Sequence, residues 1–172
     1  TVEEFATNSS SIYGHANSAG AMTVGAAAYF DTPAFGVSPP VLESFSSAGG
    51  TPILFATNGA SINEDRAKPD FVAPDGGNTT FFGTDAEPDG FPNFFGTSAS
   101  VANAAGVGAL MLDRTRGLAP DQVRSALLAS AIDMGEPGFD SDSGAGLIQA
   151  DQAVLDATRP PHVIEVRASV AD

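Results

Sequence analysis

Residues 95–112 read Phe-Gly-Thr-Ser-Ala-Ser-Val-Ala-Asn-Ala-Ala-Gly-Val-Gly-Ala-Leu-Met-Leu, and this stretch decides the fold. A glycine and two hydroxyl residues open a run of small apolar residues. Val101, Ala105, Ala109 and Leu112 recur at helical spacing, and charge is held back until Asp113 and Arg114. The pattern predicts a helix from Ser98 to about Thr115. Gly106 and Gly108 each cost about 1 kcal/mol relative to Ala in a helix interior, so close packing of the helix backbone against a sheet is expected to offset them. Thr97 and Ser98 at its start have two readings. Either is a conventional N-cap, its oxygen accepting a free backbone N–H. A serine there is equally well placed as a nucleophile: the free N–H groups can hold an oxyanion, the macrodipole favours negative charge, and Gly96 lets a substrate backbone approach.

Downstream, Pro120 and Asp121 suit the first turn of a second helix, with Val123, Leu127 and Ala131 as its buried stripe. Gly144-Ala-Gly-Leu-Ile148 reads as a turn and short strand before a third helix, 150–157. Upstream, Ala21–Ala27 and Phe71–Ala73 are unbroken runs of the kind covered on both faces in a parallel sheet. Val41–Ser47 is expected to be another strand, and Ile53–Phe55 begins a hairpin or excursion turning at Asn58-Gly59. Residues 75–95 form a long irregular segment with five Phe among Gly, Pro, Asp and Thr, and loops of that length in compact domains are usually functional or disordered. Short apolar strands followed by helices define an α/β class with a largely parallel sheet.

The 172 residues suit one domain, and 42% apolar content is ample for a core. Seven Lys and Arg against 21 Asp and Glu give a formal charge of −14, which argues against nucleic acid and anionic membrane surfaces as partners. No apolar run is long enough to span a bilayer. The absence of Cys excludes disulfides, thiolate zinc sites and cysteine catalysis.

Gly96-Thr-Ser-Ala-Ser100 with its small-residue helix, Lys68-Pro-Asp-Phe-Val-Ala-Pro74, the strand ending Val24-Gly-Ala26, Ser44-Phe-Ser-Ser-Ala-Gly49 and Gly144-Ala-Gly-Leu-Ile-Gln-Ala150 together resemble the subtilisin-like serine peptidases, the subtilases, in the family's order. The resemblance covers roughly residues 8–157. It implies a subtilisin-like three-layer α/β fold, a mostly parallel sheet flanked by helices, incomplete in this chain. Residues 1–158 would be the C-terminal part of the peptidase domain and 159–172 a linker or the start of a following module. It further implies an exported serine endopeptidase acting on polypeptide substrates. Ser98 would be the acyl-forming nucleophile, its own N–H contributing to the oxyanion hole, with Thr97 and Gly96 supporting the site.

A serine hydroxyl needs a base and a carboxylate that orients it. His15 and Asn8 are the residues of this chain nearest to a catalytic His and an oxyanion Asn. His15 lacks the family's His-Gly-Thr setting, and Asp142-Ser-Gly144 joins the closing Gly-x-Gly element rather than an early strand. His162 follows two prolines in the tail. The expectation is therefore that His, Asp and Asn belong to sequence upstream of Thr1. Where the family usually continues x-Pro-His after the nucleophile motif, this chain has Val101-Ala-Asn103, which keeps open a non-catalytic binding module on the same scaffold. A sedolisin, whose serine works with Glu and Asp, is the other alternative. No cofactor is implied. Calcium (Ca²⁺) is a candidate structural ion, because Asp85, Glu87 and Asp89 in one loop and Asp140 and Asp142 in another are hard oxygen donors, although solvated acidic loops account for the same residues.

Overall fold

Two short strands, β1 (Val24–Ala28) and β4 (Phe71–Asp75), lie side by side and parallel, with Val24 opposite Phe71 and Ala28 opposite Asp75. These are the two unbroken apolar runs, and β1 is buried beyond its first residue, as strands covered on both faces must be. The computed structural model describes residues 10–81 and 83–157. Leu147 extends the sheet past β4: it bridges Val72 in parallel and Ile132 antiparallel. Two further antiparallel pairs stand apart, β2 (Ile53–Phe55) with β3 (Ser61–Glu64), and β5 (Gly77–Asn78) with β6 (Asn93–Phe94).

Three helices follow: α1 (Thr97–Arg114), α2 (Pro120–Ala129) and α3 (Ala150–Asp156). They cover one face of the sheet. Phe71 and Ala73 point into a core with Ala104 and Met111 of α1, Val123 and Leu127 of α2, and Ala153 of α3. Val72, between them in sequence, points the other way and packs with Ala27, Met134 and Leu147. This alternation along β4 is the period-two geometry of a strand.

Three sequence expectations need correction. Val41–Ser47 is not a strand. It meets the middle of β1 through isolated bonds: the Glu43 N–H donates to the Ala26 carbonyl at 2.8 Å, and the Ala26 N–H donates to Ser46 Oγ at 2.9 Å. Polar groups that a strand would pair along a ladder are met here one at a time. Secondly, the stripe read on α1 is on the wrong face. Ala99, Ser100, Ala104 and Met111 are buried, whereas Val101, Ala105, Ala109 and Leu112 are exposed. A helix that is apolar nearly all round carries two stripes of the same period, and periodicity cannot say which meets the sheet. Thirdly, the glycines of α1 are not packed against the sheet: a Cβ on Gly106 would meet nothing within 4 Å, and one on Gly108 would meet only Val123.

The hairpin at Asn58-Gly59 forms as read, with Ile53 opposite Glu64 and the Gly59 N–H donating to the Ala56 carbonyl at 2.9 Å. The division at residues 158 and 159, like Asn8 and His162, lies outside the described residues.

Candidate active site

Gly96 is the N-cap of α1, held at φ 140° and ψ 153°, a backbone conformation that side chains rarely allow. No side chain caps the helix, so neither Thr97 nor Ser98 takes the N-cap role. The Gly96 carbonyl instead accepts the Ala99 and Ser100 N–H groups, at 2.9 and 3.3 Å. Ser98 therefore sits in the first turn with its side chain exposed. Among the described residues no hydrogen bond engages its hydroxyl. The first-turn N–H groups, which a helix leaves without internal partners, lie beside it.

In front of this turn lies a cavity of about 430 Å³. Ser98, Thr97 and Val101 form its α1 side, and Ile12, Thr23 and Ser47 are among the residues opposite. Thr23, which lines the cavity, is tied to an ionic network centred on a buried carboxylate. The Asp70 carboxylate, 0% exposed, accepts Lys68 Nζ at 2.6 Å and the Thr23 N–H at 2.8 Å on one oxygen, and Arg124 Nε and Nη2, both at 2.7 Å, on the other. One side chain thus fixes the entry to β1, the start of β4 and the middle of α2.

The end of β4 grips the start of α1 through three consecutive residues. The Pro74 carbonyl accepts Asn103 Nδ2 at 2.8 Å, Asp75 Oδ2 accepts the Gly96 N–H at 2.5 Å, and the Gly76 N–H donates to the Phe94 carbonyl at 2.8 Å. Gly76 has φ 78°, and a Cβ there would lie 2.5 Å from the Phe95 ring, so glycine is required on both counts. Asp75 is 1% exposed. Burial raises its pKa above the ordinary carboxylate value, against the opposing pull of the Gly96 N–H and its own backbone N–H. Glu43 is raised as well, by burial first and then by the charges of Asp75 and Asp31.

The 75–95 segment is ordered around Asn93, which is 2% exposed. Its Nδ2 donates to the Gly76 carbonyl (3.0 Å), Asn78 Oδ1 (2.9 Å) and Glu87 Oε1 (3.2 Å), and its Oδ1 accepts the Ala86 N–H (2.8 Å). Glu87 also accepts the Tyr29 hydroxyl, and that hydrogen bond is the main reason the phenol pKa is pushed up to about 12. Three of the acidic residues considered for calcium accept hydrogen bonds within their own loops: Asp85 from the Gly90 N–H, Asp89 from the Phe91 N–H and Asn78 Nδ2, and Asp140 from the N–H groups of Asp142 and Ser143. Among the described residues no three His, Cys, Asp or Glu gather as a metal cluster would require. His15 is exposed in a 3-10 turn, Gly14–Asn17. Its neighbours Tyr13 and Ala16 line the cavity, and His15 does not.

The sequence singled out Ser98, Thr97 and Gly96; the contacts of Asp75, Asn93 and Asn103 around that turn were not read from it. The one available signal for Asp75 was a charged residue ending an otherwise apolar strand.

A parallel sheet feeding a long helix, with an exposed serine in its first turn and a cleft before it, defines an α/β protein. The model of peptidase family S8, the subtilase family, matches residues 4–146, and the chain belongs to that family. Among solved structures it is similar to fervidolysin from Fervidobacterium pennivorans, a keratinolytic enzyme related to subtilisin (TM-score 0.57, 21% identity, 82% of this chain and 20% of that one). It is also similar to the prenylagaramide maturation protease PagA (TM-score 0.53, 22% identity) and the patellamide maturation protease PatA (0.52, 23%). These cover 84% and 83% of this chain, which spans 45% and 44% of theirs. At such identities the likeness establishes the incomplete subtilisin-like α/β fold. No curated protein matches the chain. Among the described residues no helix is long and apolar enough to cross a membrane.

Proposed function

We propose that this chain carries the nucleophile segment of a subtilisin-type serine endopeptidase. The observation that supports this reading is the exposed Ser98 in the first turn of α1, facing the cavity, in a chain of the subtilase family. In this reading Ser98 Oγ bonds to the carbonyl carbon of a peptide while a base takes the hydroxyl proton. The Ser98 N–H meets the oxyanion, collapse expels the amine, and water hydrolyses the acyl-enzyme. Thr97 supports the turn and Gly96 leaves room for the substrate backbone. The base and its orienting carboxylate are supplied by residues preceding Thr1, and the enzyme is exported to act on polypeptides.

The test is the full-length protein treated with a fluorophosphonate probe and, separately, with an unstructured protein substrate. Labelling at Ser98 and peptide cleavage near neutral pH are expected, both lost in Ser98→Ala. A full-length protein that stays unlabelled while binding polypeptides would establish the non-catalytic module instead, and activity confined to acid would point to a sedolisin.

A further inference from the structure

We infer that Asp75 is the positioning residue of the Ser98 turn, an inference that rests on the reading of Ser98 as nucleophile. The Gly96 amide is the last backbone group before α1, and its orientation sets the plane from which Thr97 and Ser98 enter the helix. Gly96 has no side chain to restrain it and occupies a conformation, φ 140°, that it would readily leave. The restraint comes from Asp75, whose carboxylate oxygen lies 2.5 Å from the Gly96 nitrogen. Asp75 is itself held in the sheet: it ends β4 in register with Ala28 and is 1% exposed. Its neighbours close the clamp, Pro74 through Asn103 and Gly76 through Phe94. A hydrogen bond between a charged acceptor and an N–H is short and directional, so the helix start is referenced to the sheet. Ser98 lies two residues beyond the pinned amide, with no hydrogen bond to its own hydroxyl among the described residues. The Asp75 contact therefore bears directly on where its Oγ and N–H stand.

The experiment compares Asp75→Ala and Asp75→Asn in the full-length protein, each checked for an intact fold by circular dichroism. Asn keeps an oxygen for the Gly96 N–H, and Ala removes it. Misplacing a reacting group by about 1 Å costs up to about 100-fold in rate. Asp75→Ala is therefore expected to lower kcat and the rate of fluorophosphonate labelling by about 10- to 100-fold while KM stays within about twofold. Asp75→Asn should recover most of that loss. An Ala variant with unchanged kcat, or an Asn variant as slow as Ala, overturns the inference while leaving Ser98 as nucleophile. A parent protein that is never labelled overturns the reading of Ser98 and this inference with it. If Asp75→Ala does not fold, hydrogen exchange at the Gly96 amide decides: slow exchange in the parent and in Asp75→Asn supports the clamp, and fast exchange in the parent overturns it.

Discussion

Asn103 and Pro74 are joined by a side-chain to backbone hydrogen bond, Nδ2 to carbonyl oxygen at 2.8 Å, that ties the second turn of α1 to the end of β4. Asn103 stands where subtilases usually have the His of x-Pro-His. The departure therefore leaves a working contact in place of the missing ring, at the point where the chain must hold the serine-bearing turn against the sheet. Ala102 costs the helix nothing there, since Ala is the best helix former.

Asn103→Ala removes this tie from an exposed position. An ordinary hydrogen bond of this kind contributes about 0.5–1.5 kcal/mol net, and the denaturation midpoint of the protein should fall by that equivalent. An unchanged midpoint would mean that water replaces the bond without loss.

Neighbouring residues of α1 test which face meets the sheet. Met111 is 0% exposed in the helix-side core, and Leu112 is 44% exposed. Met111→Ala should cost about 2–5 kcal/mol by emptying a packed site. Leu112→Ala should cost about 1 kcal/mol or less. Equal costs in the full-length protein would show that the second face is covered there by other parts of the molecule.

That pair also shows how far the sequence was legible. Local signals were read correctly: the Asn58-Gly59 hairpin, the Pro120 start of α2, and the apolar run of β4. Each depends on residues adjacent in the chain. The face of α1 was misread because both its stripes are apolar, and only the sheet's position chooses between them. The Val41–Ser47 edge cover was misread because its partner, Ala26, is distant in sequence and is met through one backbone bond from Glu43 and the side chain of Ser46 rather than along a ladder. The helix start at Gly96-Thr-Ser98 was legible because that turn is local. Asp75 was not, because its meaning lies in an amide 21 residues away.

The Asp70 network should show an order of costs. Lys68 is 3% exposed and Arg124 40%. Lys68→Met leaves a buried carboxylate with its weaker-shielded partner and should cost about 3 kcal/mol or more. Arg124→Gln leaves the buried pair intact and should cost less. The double variant should exceed the sum, because both singles share Asp70. Urea denaturation of the three variants measures this, and additive costs would contradict a shared acceptor.

Asp75 and Glu43 set a pH dependence whose sign is fixed by their raised pKa values. A carboxyl that binds its proton more tightly when folded contributes stability that is fully present below its unfolded pKa, about 3.9 for Asp and 4.3 for Glu. That contribution is lost as pH rises through the folded values. Burial is the main cause for both, and the Asp75 charge raises Glu43 further. Asp75→Asn removes one titrating group and relieves Glu43 of its larger charge repulsion, while an oxygen remains for the Gly96 N–H. The variant's melting temperature should therefore gain on the parent's as pH rises from about 4 toward neutrality, then hold a constant difference once both folded values are passed. Thermal melts of the two proteins across that range provide the comparison. A difference that shrinks with rising pH would mean that the Gly96 hydrogen bond outweighs burial and that the carboxylate is stabilised in the fold.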